Sequence, residues 1–343
     1  MNLKNDDIWQ DLKNKVEFLS QPDSYIEPGQ KVEVIETHMS WIFLTEQYAY
    51  KLKKPVQFPF LNLSQLDVRY SNCQKELKIN QFLAPDVYLG VVPLMQGRTS
   101  HFYPVGSRNR KNIVDWLLKM RRLPRELTLE QLILKNSLKQ LPQIKEAAQM
   151  LVAFYQRANP ENIKPEEYKQ QLKNSIQENS SVLIKTYYGL NQEVVKVVHQ
   201  KQLYELEVLT ECINERVSQG KIIECHGDLR PEHIWLLSPP VIIDRLEFND
   251  KLRIMDPVDE LSYLFLECEI LKRMDIGKLF LTVYQEISKD PVPERLFAFY
   301  KSYRACLRAK ICIWHLDDPR IQDLDKWFRK AEKYLNLSEL VPT

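Results

Sequence analysis

Glycine is scarce in this chain, and long apolar runs are missing from it. Its 343 residues include 8 glycines against 19 prolines, which argues against a glycine-rich phosphate-binding loop. No apolar run approaches the ~20 residues that a membrane span requires. The first residues, from Met1 to Asp7, lack the apolar core of a signal peptide. We therefore expect a soluble, unexported protein of the cytoplasm.

The chain also lacks a charge bias and a cysteine pattern. Its 48 basic and 46 acidic residues give a formal net charge of +2, which is no footprint of a dedicated nucleic-acid or membrane-surface protein. The six cysteines have no C-x-x-C spacing, so they indicate buried, reduced thiols. These properties argue against a membrane partner, against nucleic acid and against a zinc site.

The pattern of apolar residues changes near residue 122. Short β-type runs make a five-stranded candidate sheet, and they lie at 32–35, 41–44, 48–52, 87–94 and 113–120. The last run also fits the start of a helix. Helical periods occur at 64–83, 144–158, 202–218, 258–272, 278–287 and 294–315. We predict an α+β protein with a small antiparallel sheet lobe over 1–122, containing one helix, and a larger, mainly helical lobe over 123–343.

The most informative stretch lies at 226–233 and reads H-G-D-L-R-P-E-H. A hydroxyl nucleophile needs a carboxylate that orients it and takes its proton, and Asp228 lies in a loop where it could do so. Arg230, two residues further, could neutralise a phosphoryl group in transfer. Asp244, which ends the apolar run at 241–243, offers the oxygen ligand that Mg²⁺ prefers. Each residue alone has an ordinary structural explanation, but their combination indicates a phosphoryl-transfer site.

This motif resembles the catalytic loop of the protein-kinase-like superfamily, H-x-D-x-x-x-x-N, which is followed by a metal-binding aspartate on a later strand. The chain is similar to the aminoglycoside phosphotransferase-like branch, which includes choline and homoserine kinases, and in particular to uncharacterised bacterial phosphotransferase-like proteins. The resemblance extends from about Val34 to His315. Besides the motif it rests on E-T-H-M-S-W-I-F-L at 36–44, A-Y-K-L-K-K-P at 49–55, L-A-P-D-V-Y-L at 83–89 and L-E-F-N at 246–249. It implies a two-lobe, protein-kinase-like fold.

The resemblance also implies roles for individual residues. Lys51 matches the strand lysine that contacts the phosphates of the nucleotide, and Glu76 matches the helix glutamate that pairs with that lysine. Asp228 matches the catalytic base. Asp244 matches the metal-binding aspartate, and His233 takes the place of the asparagine that holds a second metal. The cofactors implied are ATP and Mg²⁺, and the acceptor is a hydroxyl of a small molecule.

Further nucleotide contacts are implied at two other places. Thr37, His38 and Ser40 stand where kinases have their glycine-rich loop, so hydroxyl, imidazole and backbone N–H groups would contact the phosphates there. Met120 and Leu123 would line the adenine at the hinge between the lobes.

Three positions leave alternatives open. His233 is an imidazole where a hard cation prefers oxygen, so it would bind Mg²⁺ poorly, hold a water or phosphate, or favour Mn²⁺. Lys53 shares a strand face with Lys51, and only the A-x-K match favours Lys51. Glu260 fits the D-P-x-x-D-L-A-like run of the phosphotransferases, but with Asp259 it equally fits the acidic start of a helix.

Two function classes compete. The first is an ATP-dependent phosphotransferase, and the alternative is a catalytically weak, nucleotide-binding pseudokinase that regulates a partner, suggested by His233 and the missing glycine loop. Nucleic-acid binding is disfavoured, because the basic clusters at 108–111 and 119–122 are short and separated. A polyamine-like acceptor would need an acidic pocket, for which the candidates are Glu247, Asp250, Glu260, Glu267 and Glu269.

Overall fold

The computed structural model of the chain describes residues 5–27, 29–58, 61–97, 101–107, 112–137, 141–317 and 323–339. The chain divides into two compact units. One comprises Met1–Leu127 and Val241–Lys251, and we call it the sheet unit. The other comprises Thr128–Pro240 and Leu252–Thr343, and we call it the helical unit.

The sheet unit is built on a five-stranded antiparallel sheet. The strands of its first segment are β1 (Glu33–Glu36), β2 (Ser40–Leu44), β3 (Tyr48–Lys53), β4 (Gln57–Phe58), β5 (Leu61–Asn62), β6 (Tyr88–Met95) and β7 (Ile113–Arg121). The large sheet has the order β1-β2-β3-β7-β6, and β4 and β5 form a separate pair. The five predicted strands are therefore confirmed, and the run that also fitted a helix is β7.

Alternation along β3 decides which side chains face the core. Successive side chains of a strand point to opposite faces. Tyr50 and Leu52 are fully buried in one apolar cluster of the sheet unit. Ala49 belongs to a second cluster, and Lys51 and Lys53 have the same parity. The sheet therefore presents two lysines on one face of its central strand.

Two helices pack in the sheet unit, α1 (Asn5–Leu19) and α2 (Leu66–Asn80). The sequence predicted α2, and α1 is an addition to that prediction. Lys15 of α1 donates a hydrogen bond to Asp115 of β7 over 2.8 Å. Arg69 of α2 donates two hydrogen bonds to the same buried carboxylate, at 2.8 and 2.9 Å. One carboxylate thus fixes both helices.

The helical unit consists mainly of helices around an apolar core. They are α3 (Leu129–Leu134), α4 (Leu141–Arg157), α5 (Pro165–Leu183), α6 (Gln192–Val208), α7 (Thr210–Ser218), α8 (Pro257–Ile270), α9 (Met274–Ser288), α10 (Glu294–Trp314) and α11 (Leu324–Leu337). The predicted helix over 202–218 is divided between the end of α6, which begins earlier, and α7, and α3, α5 and α11 were not predicted. In the described part of the chain, no helix has both the length and the apolarity to cross a bilayer.

Short strands flank the sequence motifs. They are β8 (Ile223–Glu224), β9 (Ile234–Trp235), β10 (Val241–Ile242) and β11 (Ile254–Met255). In the helical unit β8 pairs antiparallel with β11, so that Ile223 lies opposite Met255. The H-G-D-L-R motif begins two residues after β8. Asp244 follows β10, which belongs to the sheet unit.

Candidate active site

Lys51 joins two carboxylates within the sheet unit. Its Nζ donates to Glu76 Oε1 over 2.7 Å and to Asp244 Oδ1 over 3.1 Å. Burial disfavours the ammonium, but Asp244 and Glu76 outweigh this effect and raise the pKa of Lys51 well above its ordinary value. An ammonium has three N–H groups. Two of them serve these carboxylates, and the side chain keeps 12% of its surface exposed.

Lys53 is placed differently from Lys51. Its side chain is only 1% exposed, and its Nζ contacts Glu76 Oε2 and Glu247 Oε1. The structure therefore distinguishes the two lysines that share a strand face: Lys51 has access to solvent, and Lys53 is enclosed by carboxylates.

Asp244 has an unusual backbone conformation. Its φ is +65°, in the left-handed region that aspartate tolerates better than most residues. The Asp244 N–H donates to the hydroxyl of Tyr88 over 3.0 Å. The next N–H, of Arg245, donates to Asn80 Oδ1 over 2.9 Å, and the Arg245 side chain donates to the carbonyl of Ile79. These bonds fix the segment after β10 against β6 and the end of α2.

The Asp244 side chain fits the role of a metal ligand by its chemistry. It is a hard oxygen donor, its side chain is 42% exposed, and its Oδ1 is already in contact with one cation, Lys51. Among the described residues, no group of three or more histidine, cysteine, aspartate and glutamate side chains is arranged to hold a metal.

A short turn joins β1 and β2 at the residues that the sequence predicted to replace a glycine-rich loop. The Thr37 hydroxyl accepts from the N–H of Ser40 and donates to its carbonyl, both over 3.0 Å. Lys54 braces the turn, since its Nζ donates to the carbonyl of Thr37 over 2.6 Å and its N–H to that of Met39 over 2.8 Å. Thr37 and His38 are exposed. Ser40 is fully buried, and its hydroxyl has no hydrogen-bond partner in the described structure.

The two residues predicted to line an adenine belong to one apolar cluster. Met120 lies on β7 and is 8% exposed. It packs in the cluster that contains Ala49 and Tyr88, and Leu123 packs against that cluster. All of these residues are in the sheet unit, and Ala49 is on the face of β3 that also carries Lys51.

In the helical unit, two donors hold the Asp228 carboxylate. Tyr263 donates its hydroxyl to Oδ1 over 3.0 Å, and Arg230 donates Nη2 to Oδ2 over 2.8 Å. Burial disfavours the carboxylate, but Arg230 above all outweighs this effect and lowers the pKa of Asp228. The side chain is 29% exposed. Asp228 is therefore an ionised, oriented and accessible carboxylate.

Glu260 anchors the loop that carries Asp228. Its Oε1 accepts from the N–H of Gly227 over 2.6 Å, and its Oε2 accepts from the N–H of His226 over 3.1 Å. The hydroxyl of Tyr155 donates to Oε2 over 2.7 Å. The start of α8 is capped instead by Asp256, whose carboxylate accepts from the N–H of Val258. Glu260 thus positions the loop in addition to lying in the first turn of a helix.

His233 is a link within the same loop. Its Nδ1 lies 2.8 Å from the carbonyl oxygen of Asp228, and its Nε2 lies 3.2 Å from Nη2 of Arg230. A carbonyl only accepts and a guanidinium only donates, so Nδ1 carries the proton and Nε2 accepts. Both ring nitrogens are engaged, and a metal at Nε2 would have to displace Arg230. His233 therefore fits the predicted second-metal role poorly in this arrangement.

Of the two basic clusters, the structure describes only the one at 119–122. The cluster at 108–111 lies outside the described residues. In the second cluster, Lys119 contacts Glu27 over 2.5 Å, and Arg122 contacts Glu33 over 3.0 Å. These two basic side chains are thus partly neutralised by neighbouring carboxylates.

The acidic candidates for an acceptor pocket have partners of their own. Glu247 contacts Lys53, and Glu260 binds backbone N–H groups. The remaining pairs are Asp250 with Lys75 at 2.7 Å, Glu267 with Arg308 at 2.8 Å and Glu269 with Lys301 at 2.9 Å. A cationic acceptor would have to displace the lysine, arginine or backbone N–H partner of each carboxylate.

Comparisons with known proteins place this geometry in context. No family model matches the chain. It is 29% identical over 294 residues to uncharacterised proteins of Mycobacterium tuberculosis (strain H37Rv) and Mycobacterium bovis, covering 82% of this chain and 54% of each relative. The chain therefore spans about half the length of the curated relatives it matches.

Solved structures show the fold. The GDP complex of an aminoglycoside 2′-phosphotransferase matches with a TM-score of 0.55 and 14% identity, covering 95% of this chain and 97% of that one. A choline kinase from Cryptosporidium parvum matches with a TM-score of 0.51 and 14% identity, covering 96% and 95%. The resemblance read from the sequence is thereby confirmed at the level of the fold: the chain has the protein-kinase-like fold of the aminoglycoside phosphotransferases and choline kinases.

Proposed function

We propose that this protein is an ATP-dependent phosphotransferase that transfers the γ-phosphoryl group to a hydroxyl of a small molecule. One observation carries the proposal. Lys51 of β3 donates hydrogen bonds of 2.7 and 3.1 Å to Glu76 of α2 and to Asp244 after β10. These two carboxylates lie 25 and 193 positions from Lys51 in the sequence. A strand lysine, a helix glutamate and a strand-end aspartate form the part of a kinase that holds nucleotide phosphates.

The sheet unit would bind the nucleotide. The third N–H of Lys51 would donate to a phosphate oxygen, and Asp244 is the carboxylate that would hold Mg²⁺. When bound, the cation neutralises charge on the phosphate oxygens. His38, which is exposed on the turn after β1, would add an imidazole donor, and the apolar cluster at Met120 and Leu123 would receive the adenine.

The helical unit would act on the acceptor. Asp228 accepts a hydrogen bond from the acceptor hydroxyl and orients its oxygen toward the γ-phosphorus. As the new O–P bond forms and the bond to ADP breaks, the hydroxyl proton passes to the Asp228 carboxylate. Arg230 lies 2.8 Å from that carboxylate. It would stabilise the negative charge of the phosphoryl group in transfer. Because the pKa of Asp228 is lowered, orientation contributes more here than basicity.

The alternative function, a nucleotide-binding pseudokinase, has one observation in its favour. His233 stands where kinases hold a second metal, and both of its ring nitrogens are engaged within the loop. A pseudokinase would bind nucleotide without metal and would consume no ATP with any acceptor.

Thermal unfolding with ATP, GTP, Mg²⁺ and Mn²⁺ tests the proposal and separates it from the alternative. A ligand at 100 times its dissociation constant stabilises the folded state by about 2.7 kcal/mol. We expect metal and ATP together to raise Tm beyond either alone, and Asp244→Ala to abolish that joint effect. Asp250→Ala is the matched control, because Asp250 lies on the same segment and its side chain is 60% exposed. Absence of any nucleotide effect on the wild type would overturn the proposal.

A measurement of ATP consumption completes the test. The wild type is incubated with pools of small hydroxyl compounds, and ADP formation is followed over time. Formation of ADP that depends on one pool and on Asp228 supports the phosphotransferase. Metal-independent nucleotide binding without ADP formation in any pool supports the pseudokinase.

A further inference from the structure

One buried cation of the sheet unit has no part in the proposed chemistry. Lys53 is 1% exposed and contacts two carboxylates, Glu76 and Glu247. Glu76 is fully buried, and the Glu247 side chain is 11% exposed. Breaking a buried ion pair by removing one partner leaves an uncompensated charge, which is strongly destabilising. Removing Lys53, Glu76 or Glu247 alone should therefore destabilise the sheet unit.

The contacts of Lys53 continue those of Lys51 into a single alternating series. Each oxygen of Glu76 accepts from a different lysine, Oε1 from Lys51 and Oε2 from Lys53. The series runs from Glu247 through Lys53, Glu76 and Lys51 to Asp244. Its two ends lie three residues apart on one segment of the chain. The series thus closes on itself and connects β3, α2 and the segment after β10.

The charges of this series show what Lys53 contributes. Two lysines face three carboxylates, and without Lys53 a single ammonium would have to serve all three. Burial disfavours the charged form of Lys53, but Glu247 and Glu76 outweigh this effect and raise its pKa, so it stays protonated at neutral pH. With Lys53 present, Glu247 and the second oxygen of Glu76 have a cation that is enclosed away from ligands, and Lys51 holds only the first oxygen of Glu76 and Asp244.

We propose that Lys53 is a positioning residue, which holds Glu76 and Glu247 so that Lys51 and Asp244 keep the geometry needed for nucleotide phosphates and metal. The inference rests on the proposed function. Lys53 is too enclosed to reach a ligand, so it acts through its two carboxylate partners. Glu247 lies three residues after Asp244, so its contact with Lys53 fixes the segment that carries Asp244.

The test compares Glu247→Gln, Lys53→Met and the double variant that combines them. Glu247→Gln keeps the size and an accepting oxygen, so we expect it to fold. Lys53→Met leaves Glu247 buried without its cation and should lower Tm, and the double variant should regain part of that loss. Dissociation constants of ATP are measured by calorimetry without metal and with Mg²⁺, at a temperature where all variants are folded.

We expect the variants to lose the gain in ATP affinity that Mg²⁺ causes, and we expect this loss not to follow the change in Tm. In Glu247→Gln and in the double variant, the gain in ATP affinity caused by Mg²⁺ should fall ~10-fold or more, as when partners of a metal ligand are removed. Hydrogen exchange at the amides of residues 244–247, without ligand, should be faster in both. A purely structural Lys53 would change Tm and leave the effect of Mg²⁺ intact.

Lys15→Met is the matched control. Lys15 is another buried lysine of the sheet unit, 3% exposed, and its partner Asp115 retains Arg69. It should lower Tm without changing ATP affinity or its dependence on Mg²⁺. If the wild type shows the Mg²⁺ effect and the Lys53 and Glu247 variants retain it fully, the inference is overturned and the proposed function stands. If the wild type does not bind ATP, both are overturned.

Discussion

Tyr263 donates its hydroxyl to Asp228 across 3.0 Å, from a helix that begins 29 residues after Asp228. Tyr263 is 3% exposed, and burial raises its pKa well above the ordinary value, so it remains a neutral donor across the usual pH range. It therefore fixes one carboxylate oxygen without neutralising the charge, while Arg230 fixes the other.

Tyr263→Phe should lower turnover and spare nucleotide binding. A hydrogen bond to a charged group contributes about 1.5–3 kcal/mol, so we expect a fall in kcat of about 10-fold or more. The ATP dissociation constant, measured in parallel, should stay at the wild-type value. A variant with normal kcat would show that the hydroxyl does not help to orient Asp228.

Asp228→Asn should keep nucleotide affinity and lose most turnover. Loss of a general base typically costs ~10²–10⁴ in rate. Asparagine preserves the size, its amide oxygen can accept from Arg230, and its NH₂ group can donate to the Tyr263 hydroxyl, so the side chain stays held. ADP formation with the acceptor found in the pool screen gives kcat, and calorimetry gives the affinity. Unchanged turnover would remove Asp228 from the mechanism.

The stability of the sheet unit should fall in acid through Glu247. Burial disfavours the Glu247 carboxylate, but Lys53 and Lys51 outweigh this effect and lower its pKa. A carboxyl group whose pKa is lowered by folding contributes stability above its unfolded pKa, about 4.3, and this contribution is lost as the pH falls through the folded value. Urea unfolding of the wild type and of Glu247→Gln at pH 7, 5, 4 and 3 measures it. The difference between them should shrink below pH 4.3, and a constant difference would contradict the assignment.

We expect aminoglycosides to bind weakly, because the acidic residues already have partners. Glu267 and Glu269 contact Arg308 and Lys301 at 2.8 and 2.9 Å, so a polycation would have to replace existing ion pairs. We expect no rise in Tm with aminoglycosides at low millimolar concentration in the presence of ATP and Mg²⁺. A clear rise, abolished by Glu267→Gln but not by Glu211→Gln on a different helix, would identify a polycationic acceptor instead.

The sheet and the motifs were predictable because their signals are local. Alternation marks β3, and the spacing of Asp228 and Asp244 within a short stretch indicates the chemistry. The partners of Lys53 lie 23 and 194 positions away, so no local pattern could reveal that Lys53, unlike Lys51, is enclosed. Tyr263 likewise lies in an apolar run that looks like helix core.

Three of the helices that were not predicted, α1, α5 and α11, were missed for different reasons. The buried face of α1 includes a charged residue, Lys15, which hides its apolar period. That of α5 includes the buried amide of Asn179. By contrast, α11 buries Ala331, Tyr334 and Leu335 at helical spacing, a signal that was present in the sequence.

The braced turn at Thr37 has a thermodynamic consequence. A flexible cover must lose backbone freedom when a ligand arrives, at roughly 1–2 kcal/mol for each residue fixed. Here the hydroxyl of Thr37 and the ammonium of Lys54 already close the turn before any ligand binds. Nucleotide association would therefore meet little entropic opposition from this element, and Lys54→Met should make the measured binding entropy more unfavourable.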